Sequence, residues 1–202
     1  YLMDLGLIEG KILAAAALAQ LGDMEAARGH VEDSKSDAFT DLKGHFDEMK
    51  IPGFAAELDA AAVAIANGSD AAAIEAAMSK LHDKIGEARG PAMTAHEAVA
   101  AMVLVLRNAA DDFAAAVKDG KLADLHEYAD AWGYLQSAKL MLAALDNHEM
   151  EEHAKELKRV TDQLAKLDLA LPDVTGKAAT APDPSVVAGA VANIELAASA
   201  IK

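Results

Sequence analysis

Two stretches decide how this chain folds: YLMDLGLIEGKILAAAAL at residues 1–18 and YADAWGYLQSAKLMLAAL at residues 128–145. Set one above the other, Tyr1 falls on Tyr128, Gly6 on Gly133 and Leu13 on Leu140, while Ala16, Ala17 and Leu18 fall on Ala143, Ala144 and Leu145. The alanine matches carry little weight in so alanine-rich a chain. The tyrosines carry more, because the whole sequence holds only 3. Self-similarity of this kind marks a chain built from related units, and here each unit opens on a helix.

Composition agrees. Of 202 residues 53% are hydrophobic but only 4% aromatic, so the interior must be small side chains packed with leucine, valine, isoleucine and methionine. Alanine is the best helix former because it loses no side-chain entropy on folding, and the residues that favour strands are sparse. The sequence therefore predicts an all-α protein of about eight helices, near residues 2–21, 24–49, 54–66, 70–88, 94–118, 122–145, 148–167 and 184–201. The second is open to a break near Asp33-Ser34. The fifth has the clearest start, since Thr94 and Glu97 have the spacing of a capping box. Its segment 98–106 is apolar on every face, which places it centrally with other helices around it. Residues 168–183, with Pro172, Pro182 and Gly176, look like a linker, and Asp183-Pro184 reads as the cap and first residue of the last helix.

The expected organisation is a single helical domain, 1–202, made of two pseudo-repeats, about 1–90 and 121–202, joined by the helix at 94–118. In each copy a Tyr…Gly helix turns into a second helix, and an alanine-rich helix closes the unit at 70–88 or 185–201.

Charge and missing residues exclude several functions. With 33 acidic against 18 basic residues the net charge is -15, so there is no basic footprint for nucleic acid, and anionic membrane surfaces are disfavoured. The absence of cysteine removes disulfides, thiolate catalysis and zinc–sulfur sites. The longest apolar run is about half of the ~20 residues needed to span a bilayer. The chain starts on a tyrosine inside what already reads as helix, and a removed leader or an earlier start of the native chain would each account for that.

No phosphate loop, nucleophile elbow or HExxH motif is present. No histidine has a glutamate three residues before it, as a ferritin-like di-metal site requires. What remains are histidines followed by acids at helical spacing: His30 with Asp33, His45 with Glu48, His126 with Asp130, His148 with Glu151 and Glu152, and His153 with Glu156. Residues three and four apart share a helix face, so each pair offers two ligands to a cation. Around His148, a capping Asn147, early glutamates and later Lys155, Lys158 and Arg159 equally suit the helix dipole.

Glu9 is an oddity of a different kind. At about 100° per residue, Asp4 and Lys11 fall on one line of the first helix and Glu9 and Gln20 on the opposite side. Gln136 takes the place of Glu9 in the second copy. Exposure of one edge of each helix is the simpler account; the alternative is a buried polar position facing a ligand or its counterpart across a pseudo-twofold axis. Tyr128, Trp132 and Tyr134 gather on one helix, as core packing or as a wall for a haem with His126 or a methionine as axial ligand.

Gly6-Leu7-Ile8-Glu9-Gly10-Lys11-Ile12-Leu13, then Leu21-Gly22-Asp23, Ala27-Arg28-Gly29-His30 and Asp130-Ala131-Trp132-Gly133-Tyr134, resemble a family of uncharacterised, predicted secreted helical proteins from bacteria. Its pattern runs GxxxGHL, then HxxHPxxExY, then DAxGF. Here Lys11 replaces the first histidine, Asp33 and Ser34 the His-Pro, Asp37 the glutamate and Phe39 the tyrosine, while His30 is kept. The resemblance implies a periplasmic or otherwise secreted setting and, if the family's histidines bind metal, a weakened site of His30, Asp33 and Asp37.

The sequence thus points to a non-enzymatic extracytoplasmic protein that acts by binding, as an accessory subunit or scaffold of a larger assembly, with self-association as a further mode. No resident cofactor is expected. The alternative is a periplasmic carrier of a divalent metal or haem, using His30, Asp33 and Asp37 or His148, Glu152 and His153, with Glu9 and Gln136 as buried polar candidates.

Overall fold

A computed structural model describes residues 1–35, 39–90 and 93–202. Ten helices and one small hairpin follow in order among these residues: α1 (Leu2–Gln20), α2 (Met24–Asp33), α3 (Phe39–Met49), α4 (Ala55–Ala66), α5 (Ala71–Arg89), α6 (Ala95–Ala116), β1 (Val117–Lys118), β2 (Lys121–Leu122), α7 (Leu125–Ala143), α8 (Asn147–Glu152), α9 (Ala154–Ala170) and α10 (Pro184–Ala198). The all-α reading holds.

The chain divides into two compact units, Tyr1–Pro91 and Ala92–Lys202. In the first, α1 packs on α2, α2 on α4, α4 on α5, and α5 returns to α1, while α3 lies against α1. In the second, α6 packs on α7, α9 on α10, and α10 returns to α6, with a lighter contact between α7 and α9. Each unit is a four-helix circuit with one extra short helix between its second and third members. In both, the first-to-second pairing is the most extensive and the second-to-third the lightest.

The sequence likeness does not follow the order of these circuits. In chain order α1 holds the place of α6, and the partner of α7 is α2. The likeness of residues 1–18 to 128–145 therefore joins helices with different positions in their circuits. The helix expected to join the units belongs to the second one, packed on α7 and α10. It is not buried all round either, because Leu104 is 40% exposed beside buried Val103 and Val105. A run of apolar residues reports how much surface a helix can bury, not how many neighbours it has.

Helix starts follow the caps. Asp23, Asp70, Asp124, Asp146 and Asp183 each accept a backbone amide from the first turn of the helix they open. Asp146, rather than Asn147, thus caps the helix at His148. At α6 the capping box is complete: Thr94 Oγ1 accepts from the Glu97 amide at 3.2 Å, and Glu97 Oε2 accepts from the Thr94 amide at 3.1 Å. Thr94→Ala is expected to cost the second unit about 0.5–2 kcal/mol, read as a lower urea midpoint in the fluorescence of Trp132, the sole tryptophan.

Two further differences have local causes. The helix expected over 148–167 breaks at His153 (φ -108, ψ 21) into α8 and α9. Helix α8 buries no side chain, and its Glu149 accepts the Ala95 amide at the start of α6 at 2.5 Å. The carboxylate thus serves a neighbouring helix N-terminus, where negative charge is favoured. The stop at Asp119-Gly120 is a tight hairpin: both residues have positive φ (52° and 69°), and Val117 pairs with Leu122 and Lys118 with Lys121. Asp-Gly is the sequence such a turn demands, but two-residue strands leave no alternation to detect.

The supposed linker is packed down. Leu171 and Val174 are buried, and Asp173 ties the loop by accepting from Thr175 N, Thr175 Oγ1 and Ala178 N at 2.8, 2.5 and 2.8 Å. Burial pushes the Asp173 carboxyl up, but hydrogen bonds from Thr175, Ala178 and Lys177 outweigh it and hold the group below its ordinary range. Gly176 (φ 68) sits so close that a Cβ there would meet Leu122 Cδ1 at 2.5 Å and the Tyr128 ring at 3.3 Å. A glycine is needed for both backbone and space.

Candidate functional site

The first unit buries a carboxylate. Helix α1 places Glu9 between Ile8 and Gly10, all three inaccessible, and Glu9 is 1% exposed. An ionised carboxylate is costly in such a place unless it is paired. Its partners come from α5: Arg89 Nη2 donates to Glu9 Oε2 at 2.5 Å, and His82 Nδ1 lies 3.1 Å from Glu9 Oε1. Arg89 is 91% buried (9% exposed), whereas His82 is 44% exposed at the rim. The bond to Glu9 raises the His82 pKa above its ordinary 6.5, against burial and the nearby Arg89 charge. Sequence periodicity had marked Glu9 as out of place, and the structure gives the buried alternative, with an ion pair as the reason. Its counterpart Gln136 is half-buried on α7.

The predicted metal ligands fall in different surroundings. His30 on α2 is fully buried, and the Ser34 hydroxyl donates to its carbonyl at 2.8 Å. Asp33, half-buried, has its carboxylate 3.8 Å from Lys11 Nζ, so the lysine that replaces a histidine of the resembled pattern meets the aspartate. Asp37 lies outside the described residues. His148 and Glu152 approach to 3.5 Å but are 80% and 57% exposed on α8. His153 sits half-buried at the break before α9, while Glu156 follows in the first turn of that helix.

In the second unit, α7 brings together the pair that spacing had noted without singling out. His126 Nε2 lies 3.8 Å from Asp130 Oδ2, one turn apart. Asp124 fixes the start of the helix by accepting the His126 and Glu127 amides at 3.0 and 3.3 Å. Asp130 is 3% exposed and His126 40%. A buried oxygen donor and a solvent-reaching imidazole on one helix face offer a cation two ligands of mixed hardness. Tyr128 and Tyr134 are core residues, in line with the packing reading, and Trp132 beside them is half-buried. Lys139 to Asp168 at 2.8 Å and Arg107 to Glu195 at 2.5 Å tie α7 to α9 and α6 to α10.

The fold thus defines a protein of four-helix units, the second carrying a His–Asp pair on its second helix. Residues 93–201, more than half the chain and nearly all of that unit, match the iron permease-associated 4-helix bundle domain. The chain belongs to that family. No curated protein and no solved structure matches it. No helix among the described residues is long and apolar enough to cross a membrane.

Proposed function

We propose that this chain is a non-enzymatic accessory protein of an iron permease, working on the extracytoplasmic side by binding the permease and holding its iron as cargo. The observation that carries this reading is the coincidence of the family match at 93–201 with the unit whose α7 sets His126 beside buried Asp130. Neutral imidazole and carboxylate together suit iron, and the absence of thiolate disfavours softer metals. His30 on α2 is a further candidate ligand, supported by its burial and by the pattern it shares with the resembled family.

Anaerobic titration with ferrous iron, and aerobic titration with ferric citrate, test this. Wild-type protein is expected to bind about one equivalent, and Asp130→Asn and His126→Ala each to weaken binding about tenfold or more, as loss of a ligand or its support does. His30→Ala reports whether the first unit contributes. Protein that binds no iron in either state and co-purifies with no membrane permease would remove the reading. Iron bound with unchanged affinity by Asp130→Asn and His126→Ala would keep the function and reject these residues.

A further inference from the structure

Helices α1 and α5 run antiparallel, with the Tyr1 hydroxyl donating to the Ala88 carbonyl at 2.5 Å and Glu9 beside His82. Between them lies an open groove of about 220 Å³. The small side chains Ala16 and Ser79 are among those that line it. Its floor is apolar, with Ile12, Met78 and Ile85 each buried. From Glu9 to Gln20 it follows α1 for roughly 16 Å, at about 1.5 Å per residue.

The polar groups are segregated. At one end stands Glu9, its buried Oε1 beside the imidazole of His82; toward the other stands the exposed carboxylate of Glu75. No lysine or arginine lines it. Arg89 holds the other oxygen, Oε2, from outside the groove. The half-exposed imidazole of His82, beside Oε1, is the side chain able to move aside for an incoming group. Occupants of this size, apolar along the body and offered a buried carboxylate at one end, are matched by charge to an amine.

We propose that the α1–α5 groove is a binding site for a small amphipathic amine, its apolar chain along Ile12 and Met78 and its ammonium displacing His82 from Glu9 Oε1. The site lies outside the family-matched residues and does not depend on iron. The His82 pKa is raised, chiefly by its bond to Glu9 and against burial and the Arg89 charge, so the imidazole competes less well for Glu9 as it loses its proton, and binding of the ammonium strengthens as pH rises.

The test uses the whole chain and three probes of one length: n-octylammonium, n-octanol and octanoate, followed by calorimetry and by amide shifts of α1 and α5. Saturable one-to-one binding of octylammonium is expected, at least tenfold tighter than octanoate and stronger at pH 8 than at pH 6. Ser79→Leu, which fills the groove and leaves the ion pair intact, should abolish it, and Glu9→Gln should erase the preference for the amine. Equal affinity for octanoate, or binding that survives Ser79→Leu, would overturn the proposal. So would concentration-dependent self-association abolished by Ser79→Leu, which assigns the groove to a second copy of this chain. Failure here with iron binding intact leaves the proposed function untouched.

Discussion

Glu9→Ala is expected to destabilise the first unit by about 3–5 kcal/mol, because it leaves the Arg89 guanidinium buried without its carboxylate. The loss should appear as a lowered urea midpoint and as faster amide exchange in α1 and α5. Replacing both partners by apolar residues, Glu9→Leu with Arg89→Met, should recover most of the loss, since no buried charge then remains. A single variant as stable as the wild type would show that the ion pair contributes nothing.

The same contact predicts a pH dependence. The His82 pKa is raised, chiefly by its bond to Glu9. A raised histidine pKa means that the folded state binds the proton more tightly than the unfolded chain. Its stabilisation is full below the ordinary value of 6.5 and is lost as pH rises through the higher folded value. Stability of the first unit should therefore decline on going from slightly acid to alkaline pH, and His82→Gln should remove that slope.

Tyr128→Ala should cost the second unit about 3–5 kcal/mol, as deletion of a buried aromatic does. Tyr128 is 0% exposed, 6.1 Å ring to ring from Phe113, and roofed by Gly176 of the 171–182 loop. Its hydroxyl is strongly raised in pKa, first by burial and then by the Asp173 charge. The substitution should collapse the midpoint read by Trp132 and make the loop sensitive to protease. Tyr1, its partner in the sequence repeat, is half-buried and packs edge-on against His45 and Phe46. Tyr1→Ala should accordingly cost less. Equal losses at the two positions would contradict their different burial.

That contrast shows where sequence reading stopped. The repeat was real as a pattern of residues, yet it aligned a first helix with a second one, because any helix that packs two neighbours through small residues selects similar spacing. The break at His153 has no local signal: the pattern of α9 extends formally into α8, although in the fold Glu149 of α8 accepts the Ala95 amide at the start of α6. At the candidate sites, Glu9 was legible because polarity on two opposite sides of an apolar helix conflicts with one exposed face. Its partners were not legible, since Arg89 and His82 lie more than seventy residues away and nothing local marks them. His126 and Asp130 were visible as one spacing among several; burial of the aspartate separated them from the exposed His148 and Glu152.

The sequence by itself determined what local chemistry controls. Alanine content made the chain helical, aspartates and Thr94 set the helix starts, and Asp119-Gly120 set the turn. The tertiary structure alone decided which helices meet, that α6 belongs to the second unit, and that Glu9 is an ion-paired wall of a groove. Those are outcomes of long-range packing between alanine-rich surfaces that are nearly interchangeable one helix at a time, and only their mutual fit selects among them.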